Sequence, residues 1–382
     1  MKYPKYRLVR DRMAEVIEQG NFQPNSSFMT ENEAIQRFNV SRITVRQAFD
    51  LLEDEGLIYR VQGKGCFVAP HDARPTRTVA FLGTCIVTNG VESVLLRSIE
   101  EYVDRQNYNM LVCNTNNDFN RAERYLQRLI RSKVDAIIYV CVNSDTDYDK
   151  NGDFVRYILN NGVRCVLVDR YVPSVGFDKV FAVTPDNFQG AYRMTEHLIS
   201  VGHKRIGFCG GFGCSSQDER IVGYQACLRD HGLQTSPELL RQWLNEDDMP
   251  VVTRRFMMMS DRPTAVFVVC DDMAYRFIES LIAQGVRVPE DMAVVGFDDY
   301  PVHTSRSIGL TTMRVPLWEE GVLTASVVVD LLEGRPLNPA HLKVPCELVV
   351  RESCGARIGT RDRTASLALA PAVRLPHLAR TV

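Results

Sequence analysis

Along residues 5–19 the apolar side chains Tyr6, Val9, Met13, Val16 and Ile17 recur every three or four positions, the period of one helix face, and Gly20 ends the run. A second helix is expected from Thr30, because Thr30 and Glu33 stand at capping-box spacing ahead of a short run that stops at Asn39. Ser41 opens a third, SRITVRQAFDLLEDEG, closed by Gly56, in which Val45, Ala48, Phe49 and Leu52 form a stripe to pack on Ile35 and Phe38. Two strand-like pieces, LIYRV and GCFVA, follow, and the glycines of the QGKG between them permit a positive-φ turn. Over residues 1–69 the order is helix, helix, helix, hairpin.

Residues 70–78, PHDARPTRT, carry two prolines and no apolar period, and read as a linker. After them the grammar changes. Apolar pieces such as VAFLGT, NMLVCN, DAIIYV, RCVLVD, RIGFCGG, TAVFVV and MAVVGFDD alternate with amphipathic helices near 91–106, 119–131, 153–161, 187–200, 217–231 and 272–284. Such alternation implies an α/β fold with parallel sheets, and strands in that number suit two lobes better than one oversized sheet. One lobe is expected over about 79–183 and 309–338, the other over about 184–308 and 339–355, with crossovers near residues 183 and 308. Residues 356–382 show no clean period and read as a flexible tail.

Composition narrows the class without naming a partner. The 382 residues are 45% apolar and 24% charged, which fits a globular chain of two or three domains. The N-terminus is charged from its second residue, and no apolar stretch is long enough to span a membrane, so a cytoplasmic protein with no membrane partner is expected. Eleven cysteines fall singly, with no CxxC pair and no zinc spacing, so reduced buried thiols and no metal are expected. The net charge of −2 divides into +2 over residues 1–77 and −4 over the rest, too mild a tilt to establish nucleic-acid binding.

Placement says more than bulk charge. In a helix-turn-helix the N-terminal end of the motif's second helix enters the major groove. Ser41 at that position would cap the helix, and Arg42 and Arg46, four apart, share a face from which each can reach a phosphate or a guanine O6/N7 edge. Thr44 can donate to a phosphate or touch a thymine methyl. Two arginines on a helix are by themselves ordinary solvated charge. The hairpin directly downstream changes that, since Gly63 and Gly65 leave its backbone uncluttered and Lys64 at the tip suits a phosphate or the minor groove. The run TENEAIQRFNVSRITVRQAFDLLEDEGLIYRVQGKGCFVA resembles the GntR-type winged-helix family nearly throughout. The resemblance implies DNA contacts at Arg42, Thr44, Arg46 and Gly63. Met29 stands where that family usually has proline, and Asn32 where a stronger phosphate contact is common.

Beyond the linker, strand ends carry polar residues: Asp169 and Arg170, Asp271 and Asp272, Asp298 and Asp299. Ligands of parallel α/β sheets bind beyond the carboxyl ends of strands, where a carboxylate accepts from hydroxyls and a guanidinium donates in a fork. Acidic residues there can equally cap the following helices, Asp271 and Asp272 above all. Residues 78–355 resemble the sensor domain of the LacI/GalR repressors, which shares its fold with periplasmic sugar-binding proteins. DRYVPSVGFDKVFAVTPDNFQGAYRMTEHLISVGHKRIGFCGG, SSQDERIVGYQACLRDHGL, PTAVFVVCDDMAYRFIESLIAQGVRVPEDMAVVGFDD and LVVRESC carry the likeness. It implies a ligand arginine at Arg220 and a hydroxyl-binding aspartate at Asp298. Asp169 and Arg170 match another pocket strand end, and Asn89 and Glu92 the first strand–helix loop of the cleft. Cys270 replaces the family's asparagine and so removes an amide from the site.

The pairing of such a reader with such a sensor is similar to the arabinose-repressor type of Gram-positive bacteria. It implies a repressor of carbohydrate-metabolism genes that leaves a pseudo-palindromic operator as a homodimer when a sugar binds. A nucleobase-responsive repressor and a sugar-dependent activator are the alternatives. No nucleophile–base pair or cofactor lysine stands out, so neither enzymatic activity nor a cofactor is expected. His197 and His203 look like packing residues, and GGFGCSS lacks the lysine of a phosphate loop.

Overall fold

The N-terminal elements form where the periodicity placed them: α1 (Lys5–Gln19), α2 (Glu31–Phe38), α3 (Arg42–Asp54), β1 (Ile58–Val61) and β2 (Gly65–Val68). The computed structural model describes residues 4–19, 22, 23, 25–61, 64–69, 76–86, 91–143, 148–178, 180–211, 213–242, 249–299 and 308–356. The expected tail beyond residue 356, linker residues 70–75, Gly63 and Asn89 lie outside those residues. The chain divides into two units, after Thr78.

In the first unit both parts of the capping box are present: Thr30 Oγ1 accepts from Glu33 N at 3.2 Å and Glu33 Oε2 accepts from Thr30 N at 2.7 Å. Asn39 ends α2 with a φ of 51°, so the chain turns within a few residues and Ser41 caps α3. Val9, Met13 and Ile17 of α1 meet Ala34, Val45, Ala48, Phe49 and Leu52 in one core, closed by Ile58, Cys66 and Val68 of the hairpin. β1 and β2 pair antiparallel from Ile58↔Val68 to Val61↔Gly65.

The second unit opens with β3 (Thr78–Gly83), α4 (Val91–Arg105), β4 (Asn109–Asn114), α5 (Phe119–Arg131), β5 (Ala136–Tyr139), α6 (Tyr148–Asn160), β6 (Arg164–Val168) and β7 (Phe181–Pro185). It continues with α7 (Asn187–Val201), β8 (Ile206–Gly210), α8 (Ser215–Asp230), β9 (Leu240–Gln242), α9 (Met249–Met257), β10 (Ala265–Val268), α10 (Asp271–Ala283) and β11 (Ala293–Val295). It ends on β12 (Thr312–Arg314), α11 (Leu317–Leu332), β13 (His341–Val344) and β14 (Glu347–Val349).

Two large sheets form, as the alternation implied, beside the two-stranded β12-β14 pair. The first runs β13-β7-β6-β5-β3-β4, and the second β11-β10-β8-β9. Residues such as Ile137, Ile138, Val266 and Phe267 are fully buried because helices cover both faces of each sheet. The alternation missed β7 between RCVLVD and the helix at 187–200, the short β9, β12, β13 and β14, and α9 and α11.

The expected lobe boundaries need correction. Residues 309–338 do not stay together: β12 pairs antiparallel with β14 and packs Leu310, Met313 and Val315 into the second lobe's core, whereas α11 packs on α4 in the first. Residues 339–355 divide likewise, because β13 pairs parallel with β7 in the first sheet while Cys346 and Cys354 join the second lobe's core. The crossovers therefore lie between β7 and α7, close to the expected 183, between β12 and α11, and between β13 and β14, and the one expected near 308 is not among them. All eleven cysteines are free thiols, nine of them buried.

Candidate functional site

On the reader unit, Ser41 Oγ accepts from Thr44 N at 3.3 Å and lies 2.9 Å from Thr44 Oγ1, so both polar side chains first serve the helix start. Arg42 and Arg46 share a face, and Glu31 holds both through Nε, at 3.2 and 3.0 Å. With the arginine side chains about 60% exposed, such a pairing is worth less than about 1 kcal/mol and gives way readily to a phosphate or a base. Asn32 is exposed beside Glu31, and Lys64 is exposed at the hairpin end with its N–H on Val61 O at 3.0 Å. Gly65 has a φ of 107°, a conformation costly for any side chain. Residue-type reasoning overlooked Ile43. It is 72% exposed and lies opposite the buried Val45, at the centre of the outward face.

In the second unit, five expected residues converge where the two sheets' carboxyl ends face each other. Asp169 follows β6 with a φ of 65°, and Asp298 follows β11 with a φ of 122°. Arg220, buried on α8, donates to Asn187 Oδ1 at 2.9 Å, Val269 O at 2.6 Å and Asp298 Oδ1 at 3.2 Å, and its guanidinium lies 3.7 Å from the centre of the Phe297 ring. Burial pushes the Asp298 carboxyl up to about 6 against the pull of Arg220, and the charges of Asp169 and Arg170 across the cleft also reach it. Arg170 lies 3.0 Å from Asp169 Oδ2 as an ion pair without hydrogen-bond geometry, and donates to Cys141 O at 3.0 Å. Cys270 sits at the N-cap of α10 with no side-chain cap bond, its thiol pushed up to about 12 by burial and by Asp298. It is a neutral neighbour of the site where an amide would have been a partner.

Glu92 takes a different role from the one expected. Its carboxylate accepts from Thr84 N at 2.9 Å, from Cys85 N at 3.0 Å and from the Thr84 hydroxyl, so it closes the first strand–helix loop from within. With both oxygens engaged and the residue buried, it is withdrawn as an effector contact. Neither Asp271 nor Asp272 is the expected cap of α10, a position Cys270 takes: Asp271 accepts from Thr312 Oγ1 of β12 at 2.6 Å, and Asp272 pairs with Arg276 one turn on. His197 lies 3.3 Å from Cys354 Sγ and His203 2.9 Å from Thr264 Oγ1, both held below their ordinary value by burial, as suits packing residues.

One buried acid escaped the sequence reading. Glu320 on α11 is 0% exposed and accepts Asp169 N at 3.0 Å, while its other oxygen has no partner among the described residues. Burial, then the Asp169 charge, raises its carboxyl well above the ordinary 4.5, so the fold favours its neutral form. A raised carboxyl contributes stability that is complete below the unfolded value and is lost as pH rises toward the folded one. Glu320→Gln should therefore gain on the wild type as pH rises above the ordinary 4.5, by up to about 1.4 kcal/mol for each pH unit until the folded value is passed. Denaturant unfolding at several pH values measures it; a gap independent of pH would contradict the assignment.

Comparisons with known proteins match both halves. Residues 5–68 match the gntR family of bacterial regulatory proteins, and residues 195–354 a periplasmic binding protein-like domain. The chain is 31% identical over 361 residues to an arabinose metabolism transcriptional repressor of Geobacillus stearothermophilus, covering 92% of this chain and 97% of the relative. It is 27% identical over 266 residues to the HTH-type transcriptional repressor PurR of Haemophilus influenzae, covering 68% and 76%. Transcription regulator CcpA of Lactococcus lactis, with a TM-score of 0.65 and 23% identity over 73% of this chain and 99% of that one, shares the fold.

Proposed function

The chain belongs to the gntR-headed transcriptional repressors that carry a periplasmic-binding-protein-like sensor, and from that premise we propose that a neutral sugar entering the cleft releases it from operator DNA. The observation that carries the sugar reading is Arg220, buried on the Phe297 ring and paired with Asp298. A polar fork above an aromatic face, beside a carboxylate, suits a ring with several hydroxyls. Neutrality follows from charge. Among the described cleft residues Arg170 and Arg220 each have a carboxylate partner, so neither offers an unneutralised cation to a phosphate.

Two copies would pair with two-fold symmetry and set two reader units on a pseudo-palindromic operator in the cytoplasm. Arg42, Thr44, Arg46 and Lys64 would make the phosphate and base contacts, with Ile43 placed to meet a thymine methyl. The cleft binds and switches rather than catalyses. Closure of one lobe on the other would alter the spacing of the readers, coupling sugar to operator by about 1–3 kcal/mol.

A thermal-shift screen tests the effector class. L-arabinose is the first candidate, since the Geobacillus relative is an arabinose metabolism repressor. Neutral pentoses or hexoses should raise the melting temperature while sugar phosphates and purines leave it unchanged. Stabilisation by a purine or a sugar phosphate alone would replace the reading.

A further inference from the structure

The two lobes of the sensor touch beside the Arg220–Asp298 pair, which itself lies within the second lobe. Tyr171, three residues beyond β6 in the first lobe, donates its backbone N–H to Ser215 Oγ of α8 in the second at 2.8 Å. Its hydroxyl donates to Glu219 Oε1 at 3.2 Å. The same oxygen lies 2.7 Å from Lys343 Nζ on β13, again in the first lobe. Ser215 and Glu219 are four apart, on one face of the first turns of α8, and the Glu219 side chain is only 16% exposed.

The first-lobe side is stiff. The Tyr171 ring lies 5.0 Å from that of His341 and 5.4 Å from that of Phe177, and Phe177 and His341 stack at 4.5 Å. His341 Nε2 lies 2.9 Å from Thr184 Oγ1, which ties the cluster to β7. Burial and the Glu219 carboxylate push the Tyr171 hydroxyl up to about 12, so it keeps its donor proton at physiological pH. Arg220 is the next residue of the same helix, so whatever moves α8 moves both the ligand arginine and these contacts.

We propose that Ser215 and Glu219, gripping Tyr171 and Lys343, form an interlobe clasp that positions α8 and sets how readily the cleft opens. The role in effector response rests on the cleft reading above; the clasp itself does not. With the clasp made, the lobes are held together before a ligand arrives, and the ligand spends less of its affinity on closure. Charge-assisted bonds at a partly buried carboxylate are strong enough to shift that balance about tenfold.

The test uses the full chain with no sugar present, so its failure is distinct from a failure of the effector reading. Hydrogen exchange should show the amides at 169–172 and 215–221, on opposing walls, exchanging about tenfold faster in Glu219→Ala than in the wild type. Central strands at 79–83 and 265–268 should be unchanged, which separates opening of the cleft from general loss of stability. Combining Glu219→Lys with Lys343→Glu should restore much of the protection that either change alone removes. Unchanged exchange in Glu219→Ala, acceleration on one wall only, or a double variant no better than the worse single one would overturn the clasp.

Discussion

Replacing Arg42 with alanine should weaken operator binding roughly 10- to 100-fold per half-site, the worth of one guanidinium paired with a base edge. The side chain is 60% exposed and its partner in the free protein is the half-buried Glu31, so little folding energy is at stake. The variant should melt where the wild type does and keep its full stabilisation by sugar, because Arg42 belongs to a unit with its own core. Electrophoretic mobility shift with a duplex selected by the wild type, read beside thermal shift, measures both. Undiminished operator affinity would remove Arg42 from the interface. Lost sugar response would contradict the division into reader and sensor.

The opposite result is expected from Arg220→Ala. Sugar-induced stabilisation should vanish, and so should sugar-induced release from DNA. Here folding is also at stake. The guanidinium holds Asn187, Val269 O and Asp298 together in a buried setting, and removing one partner of a buried pair costs about 3–5 kcal/mol. A cooperative unfolding transition of the sugar-free variant at low temperature serves as the control for folding, since operator binding reports the reader, which has its own core. Asp298→Asn keeps the shape and exchanges a carboxylate for an amide, so it should impair the sugar response with a smaller loss of stability. A sugar response retained in both variants would move the effector elsewhere in the cleft.

Local signals carried the reader almost whole. A capping box, a serine cap, an apolar stripe and a glycine turn each act over a few residues, and the core joins elements that follow one another in the chain. The strand ends of the sensor were legible for a similar reason. An apolar run followed by Asp169–Arg170 or Asp298–Asp299 places those residues at a carboxyl edge whatever else the chain does. Side-chain direction was not legible there. Glu92 and Glu320 are both acids on helices, yet Glu92 bonds back to its own loop while Glu320 reaches Asp169, 151 residues away in sequence.

Short-range signals along the chain set the order of elements in the reader, its helix-turn-helix and hairpin, the α/β character of the sensor, and the arginines and aspartates at its strand ends. These follow from period, capping and turn chemistry, which are short-range. Only the tertiary structure decided which lobe takes β12 and β13. Strands of three or four residues carry too little pattern to choose a partner, and the pairings with β14 and β7 made the choice. It also decided that Glu31 gathers both arginines of α3, that the Glu320 carboxyl is raised, and that Tyr171 and Lys343 meet at Glu219. Each of those depends on residues brought together across the fold, where burial and a neighbour's charge, rather than residue type, set what a side chain does.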